Sequence, residues 1–309
     1  MTVTAASRRL LDHVISSEQF TRPLLDSLFD RAAALDGTRD RRLGGRIMAS
    51  LFYEPSTRTR LSFESAMLRL GGSVLGTEAA HTFSSAIKGE TLEDTIRMVS
   101  TYADVIVIRH DQLGAAARAA SVSSVPVINA GDGPGEHPTQ ALLDLFTIQR
   151  ELGHIDGVRV AFCGDLRFGR TARSLALLLA LYPGVRFAFV APEVVQIGAD
   201  IRDRLDARDV PYTLAAQLSD VIRDVDVVYQ TRVQKERFAD PAEFEQARTA
   251  IRIDAAVMRE LGDNAIVMHP LPRVDEIATE VDADPRAAYF RQAANGVAIR
   301  MALLEMLLG

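Results

Sequence analysis

The chain has 309 residues, 48% of them hydrophobic, enough for packed cores and about two domains. Its 35 basic and 41 acidic residues leave a net charge of −6, which argues against a general nucleic-acid surface. One cysteine, Cys163, excludes an intrachain disulfide and a cysteine-based zinc cluster. With no signal-type apolar segment and no apolar run long enough to cross a bilayer, a cytoplasmic protein is the expectation.

In chain order, Ser16-Ser17-Glu18-Gln19-Phe20 opens a helix expected to run toward Ala34. A buried strand follows near Arg46–Phe52, then Glu54-Pro55-Ser56-Thr57-Arg58-Thr59-Arg60, then a helix that Gly71-Gly72 ends. Ser73-Val74-Leu75-Gly76 begins a short strand, and Thr91–Tyr102 reads as a helix with Leu92, Ile96 and Val99 at helical spacing. Val105–Ile108 and Val125–Asn129 are continuous apolar runs of the kind found in parallel strands buried on both faces. Gly131-Asp132-Gly133-Pro134-Gly135 is expected to be a loop, and His137–Leu152 a long helix leading into a second domain. There the alternation restarts: strand Arg159–Gly164, helix Arg170–Tyr182, strand Arg186–Val190, helix Ala199–Arg208, strand Val225–Gln230, strand Ala265–His269 and a final amphipathic helix Tyr289–Leu308. Alternating strands and helices define an α/β chain, two doubly wound parallel-sheet domains. The expected boundaries are 1–136 with 290–309 for the first domain and 137–289 for the second, the last helix returning to the first domain.

The chemistry concentrates where strands end. Ser56 and Thr57 are N-cap candidates after a helix-resisting Pro55, at a turn where free N–H groups and the helix dipole favour a dianion such as phosphate. Arg58 can add a forked contact there, although a plain capped helix with solvated arginines has the same local sequence. His137 and Gln140 lie one helical turn apart, and His137 can donate to a carbonyl oxygen as it gains negative charge. A loop histidine satisfied by its neighbours is an equally good account of His137 alone. Gly164-Asp165-Leu166-Arg167-Phe168-Gly169 lacks the glycine spacing of a dinucleotide-binding turn, and Arg170 at the next helix start suits a carboxylate. Arg232 and Gln234 share one side if their segment is extended, although a charged loop after a strand is common, and the prolines of His269-Pro270-Leu271-Pro272-Arg273 fix a turn and free carbonyl oxygens to point at a ligand. Ser84-Ser85-Ala86-Ile87-Lys88-Gly89 is similar to a phosphate-contacting loop, although taken alone it reads more readily as a solvated one. Lysine occurs only at positions 88 and 235; every other basic side chain is arginine, a hint that position 88 wants a compact ammonium. Strand ends thus deliver Arg58, Arg109, Arg170 and Arg232, the equipment for a small polyanionic substrate pair, with no activated serine or cysteine nucleophile. Catalysis by positioning and electrostatics follows.

These segments, in this order, resemble the aspartate/ornithine carbamoyltransferase family over nearly the whole chain. Ser56-Thr57-Arg58-Thr59-Arg60, the Lys88 loop, His137-Pro138-Thr139-Gln140 and the tail from Arg273 to Asn295-Gly296 carry the resemblance. Thr231–Arg237 and His269–Arg273 point to its aspartate-specific branch, since ornithine-specific relatives carry cysteine where Leu271 stands. The resemblance implies a cytoplasmic transferase of pyrimidine biosynthesis that moves the carbamoyl group of carbamoyl phosphate onto L-aspartate, without a cofactor. It implies that Ser56, Thr57, Arg58 and Thr59 hold phosphate, that Arg109 bridges phosphate and carbonyl, and that Thr59, Arg109 and His137 polarise the carbonyl. It assigns Gln140 and the Pro270 and Leu271 carbonyls to the carbamoyl amide and the attacking amine. Arg170, Thr171, Arg232 and Gln234 fall to the aspartate carboxylates, and Ser84 and Lys88 to a neighbouring subunit's site in a homotrimer. It further implies a cis Leu271–Pro272 bond and a surface at 110–116 that suits a zinc-bearing regulatory chain or a solvent-exposed loop equally. Glu54, beside the strand-to-helix turn, is expected to pair with Arg170 and Arg237 at second-domain strand ends as the two domains close. Another pyrimidine-pathway chain is an alternative partner; nucleic acid and membrane are not expected. Transfer to ornithine, an inactive scaffold and a nucleotide-binding oxidoreductase are the competing accounts. Arg170 and Arg232, the complete residue set and the missing glycine fingerprint argue against each in turn.

Overall fold

In the computed structural model, residues 11–78, 89–233, 238, 240–242, 244–245 and 251–309 are described. Two compact units form, residues 1–19, 25–139 and 297–309 in one, 20–24 and 140–296 in the other.

The first unit is a four-stranded parallel sheet. Its strands are β1 (Ile47–Phe52), β2 (Ser73–Glu78), β3 (Val105–His110) and β4 (Val127–Asp132), in the order β2-β1-β3-β4. Parallel strands need crossover connections. These are α2 (Thr57–Arg69), α3 (Leu92–Val99) and α4 (Ala115–Val122), after an opening helix α1 (Arg22–Leu35). The continuous apolar runs of β1 and β3 are buried, with Met48, Ala49, Val105, Ile106 and Val107 all 2% exposed or less. The pairing of β3 with β4 shifts between Ile108 and His110, so a register irregularity falls at Arg109.

The second unit is a five-stranded parallel sheet of β5 (Arg159–Cys163), β6 (Arg186–Val190), β7 (Tyr212–Ala215), β8 (Val227–Gln230) and β9 (Ile266–Met268), ordered β7-β6-β5-β8-β9. Helices α5 (Pro138–Leu152), α6 (Arg170–Leu179), α7 (Ala199–Asp206), α8 (Ala255–Glu260) and α9 (Tyr289–Leu308) complete the chain. Cys163 sits in the buried core beside Ala161, Val190 and Val228, and that burial pushes its thiol pKa up. No helix among the described residues is long and apolar enough to cross a membrane.

Several sequence expectations are corrected. The first helix is two pieces: a 3₁₀ turn at Ser17–Gln19, then α1 starting at Arg22 with Pro23 in its first turn, where proline is tolerated. Strand β4 begins after Pro126, which has no N–H to donate, and it continues through Gly131 and Asp132, which composition had placed in a loop. Within 110–116, His110 ends β3 and Ala115 begins α4 behind Gly114 in the left-handed region, so the exposed loop is confined to the residues between them. Strand β7 and helix α8 were not anticipated. β7 is only four residues long, Tyr212-Thr213-Leu214-Ala215, with threonine breaking its apolar run, so it is too short to stand out as a buried strand.

Candidate functional site

In the first unit the candidate residues lie at the carboxyl ends of β1, β3 and β4, where open α/β sheets hold ligands. Ser56 occupies the N-cap position of α2 with extended backbone, yet its side chain makes no capping bond. Its hydroxyl therefore does not satisfy the helix's orphan donors, consistent with an anion doing so instead. Thr57 and Arg58 are exposed, whereas Thr59 is buried. Partial burial lowers the Arg58 pKa.

Arg109 projects from the end of β3, where Phe52 of β1 is its register partner. Its Nη1 donates to the Ala130 carbonyl at 3.4 Å, and its Nε lies 3.3 Å from a Glu54 carboxylate oxygen. Burial lowers the Arg109 pKa; Glu54 opposes that shift and the like charge of Arg58 adds to it. Two guanidiniums thus share a half-buried neighbourhood, a focus of positive potential suited to a multivalent anion. His137, just before α5, is 5% exposed, with Nε2 3.4 Å from the Thr59 hydroxyl and Nδ1 3.5 Å from the Thr139 hydroxyl. The loop that presents it is tied down by Glu136, which accepts from the Ser16 and Ser17 hydroxyls, and by Asp132, which accepts from the Glu136 N–H at 2.8 Å.

In the second unit Arg170 and Thr171 open α6 after β5, and Arg232 follows β8, the strand paired with β5. Gly164 has φ +100°, and a Cβ there would lie 2.3 Å from the Thr231 carbonyl oxygen. Thr231 donates its N–H at 2.8 Å and its hydroxyl at 2.9 Å to the Cys163 carbonyl. The chain segments leading to the two arginines are thereby locked together. Leu271–Pro272 is the expected cis bond, and Leu271 itself has φ +50°.

A buried polar network here escaped the sequence reading. Asp144, fully buried on α5, accepts from Gln140 Nε2 at 2.8 Å, Gln292 Nε2 at 2.6 Å and the Tyr229 hydroxyl at 2.6 Å. Burial, then the Asp144 carboxylate, raise the Tyr229 pKa well above its ordinary value, while a Thr171 hydrogen bond works the other way. Gln292 Oε1 accepts from the His269 N–H at 2.8 Å. The His269 ring lies 2.8 Å from Glu276 through Nε2 and accepts from the Leu271 N–H at 2.8 Å through Nδ1. Burial alone would raise the Glu276 pKa, but the His269 hydrogen bond and its own backbone N–H outweigh it, so the pKa is lowered. One signal was available: a lone acid inside Ala141-Leu142-Leu143-Asp144-Leu145-Phe146, four residues after Gln140.

Of the remaining candidates, Ser84, Lys88, Gln234 and Arg237 lie outside the described residues. Glu54 has a partner within its own unit, Arg109, that the sequence did not suggest.

The model of the aspartate/ornithine carbamoyltransferase carbamoyl-phosphate-binding domain matches residues 12–150, and that of the Asp/Orn-binding domain matches residues 156–307. The chain belongs to the aspartate/ornithine carbamoyltransferase family. Within it, the chain is 56% identical over 304 residues to the chloroplastic aspartate carbamoyltransferase of Arabidopsis thaliana, covering 96% of this chain and 78% of that relative. It is 50% identical over 301 residues to the aspartate carbamoyltransferase catalytic subunit of Methanocella arvoryzae, covering 96% of this chain and 97% of the relative. The Trypanosoma cruzi aspartate transcarbamoylase in complex with carbamoyl phosphate and aspartate superposes with a TM-score of 0.91 at 45% identity, over 96% of this chain and 97% of that one. The carbamoyltransferase fold of two parallel-sheet units is thus shared with structures of the aspartate branch.

Proposed function

We infer that this carbamoyltransferase moves the carbamoyl group of carbamoyl phosphate onto the amino group of L-aspartate, giving N-carbamoyl-L-aspartate and phosphate. The observation that carries this is the set of arginines at strand ends, Arg58 and Arg109 on one unit and Arg170 and Arg232 on the other. Both substrates are anions, and a cationic acceptor side chain would be repelled by the second pair. Relatives named for the aspartate reaction at 50–56% identity support the same acceptor.

Ser56, Thr57, Arg58 and Thr59 hold the phosphate group at the α2 N-terminus. Arg109 spans phosphate and carbonyl oxygen, and Thr59 and His137 donate to that oxygen. Gln140 and the Pro270 and Leu271 carbonyls accept from the carbamoyl amide and the incoming amine. Arg170, Thr171, Arg232 and Gln234 bind the aspartate carboxylates, and Ser84 and Lys88 come from an adjacent subunit. The neutral amine attacks the carbonyl carbon, negative charge gathers on its oxygen, the carbon–oxygen bond to phosphate breaks, and the departing phosphate takes the amine proton. Fixed cationic donors stabilise that charge more in the transition state than in the substrate. A homotrimer acting in the cytoplasm, early in pyrimidine synthesis, is the setting this reading implies.

The test is product formation: carbamoyl phosphate with L-aspartate should give a ureido product in a colorimetric assay, and L-ornithine should give none. Failure with aspartate overturns the reading. For the shared site, inactive Lys88→Ala and His137→Ala proteins, dissociated and reassembled together, should recover activity approaching that of random trimer mixing. Hybrids no more active than the parents would place Lys88 in its own chain's site.

A further inference from the structure

The Asp144 network has a consequence beyond burial of a polar group. Its side chain is 0% exposed, yet three donors converge on its two oxygens. Two of them are glutamine amides, whose orientation is otherwise ambiguous because the oxygen and NH2 ends have the same shape. An oxygen that can only accept compels both NH2 groups to face it. For Gln140, this turns the carbonyl end away from Asp144 and leaves it as an acceptor. For Gln292, it leaves Oε1 to receive the His269 N–H, and the His269 ring in turn receives the Leu271 N–H.

We propose that Asp144 is a positioning residue: it fixes the amide orientation of Gln140 and, through Gln292 and His269, the backbone of the 269–271 turn, so that both present carbonyl oxygens to the NH2 of the carbamoyl group. The proposal rests on the reaction assigned above. Thr171 joins the same network through its hydrogen bond to Tyr229. One buried side chain therefore links groups assigned to both substrates. Asp144 touches neither substrate; it acts through Gln140 and the turn.

The discriminating probes are carbamoyl phosphate and inorganic phosphate, which share the phosphate group but differ in the carbamoyl amide. In titration calorimetry, Asp144→Ala should weaken carbamoyl phosphate about tenfold or more, the size expected when a strong hydrogen bond is lost, and leave phosphate within about twofold. Its kcat for carbamoyl-aspartate formation should fall by at least as much. Asp144→Asn keeps an oxygen for the two glutamines and turns its NH2 toward Tyr229, so it should recover most of the carbamoyl phosphate affinity. Gln292→Met cuts the link to His269 while preserving length, and it should weaken carbamoyl phosphate selectively by about threefold or more. Equal losses of both ligands, unchanged carbamoyl phosphate binding, or failure of Asp144→Asn to recover affinity would each overturn the proposal. Should Asp144→Ala fail to fold, Gln292→Met decides alone: a selective loss supports the proposal and its absence refutes it. If the unsubstituted enzyme forms no carbamoyl-aspartate, the assigned reaction fails; if it does and the variants discriminate normally, only the role of Asp144 fails.

Discussion

Replacing Gly164 by alanine tests whether the close approach of β5 to β8 holds the second unit's arginines in place. The new Cβ would lie 2.3 Å from the Thr231 carbonyl oxygen and 2.8 Å from its hydroxyl, against about 3.4 Å for ordinary contact. Relief requires a movement of about 1.1 Å. Thr231 cannot retreat cheaply, because its N–H and hydroxyl both bond the Cys163 carbonyl in the buried core. Strain at a φ of +100° adds to the clash. A disfavoured backbone region costs about 1–3 kcal/mol and overpacking about 1–3 kcal/mol, so a loss of about 2–6 kcal/mol is expected. The chain has no tryptophan, so urea unfolding is best followed by far-UV circular dichroism. Under conditions where the variant remains folded, KM for aspartate should rise while the calorimetric affinity for phosphate, assigned above to first-unit residues, stays unchanged. A variant within about 0.5 kcal/mol of the parent, the range of neutral surface changes, with an unaltered aspartate KM, would refute the argument.

Arg58→Ala should lower kcat by about 100- to 1,000-fold, the usual loss for one transition-state donor, with an unchanged circular dichroism spectrum. Near-normal turnover would remove Arg58 from the mechanism. Arg232→Ala should chiefly raise the aspartate KM, leaving calorimetric carbamoyl phosphate binding intact; a collapse of both would contradict the division of labour between units. Glu276→Gln should destabilise the protein at neutral pH. The pKa of Glu276 is lowered by folding, so its contribution is fully present above its ordinary value of 4.5 and is lost as pH falls through the folded value. The difference in melting temperature between parent and variant should therefore shrink on acidification below pH 4.5; a gap that widens there would reverse the assignment.

What the sequence determined by itself was local. The rhythm of apolar runs and helices specified two parallel-sheet units, because a strand buried on both faces must be apolar throughout. The strand-to-helix turn after β1 was legible for the same reason: Pro55, Ser56 and Thr57 control the backbone at a helix start, whatever packs around them. The final helix, Tyr289–Leu308, was read with its observed bounds from an uninterrupted helical pattern. Tertiary structure decided the partnerships. Glu54 meets Arg109 because parallel pairing puts Phe52 beside Arg109, a register that no local preference encodes. Asp144 gathers Tyr229 from 85 residues away and Gln292 from 148 residues away, joining neighbours that only the folded chain creates. Each of those polar groups, judged in its own segment, could equally have faced water. Burial in a low-dielectric core is what obliges them to find one another, and that obligation exists only once the strands and helices have packed.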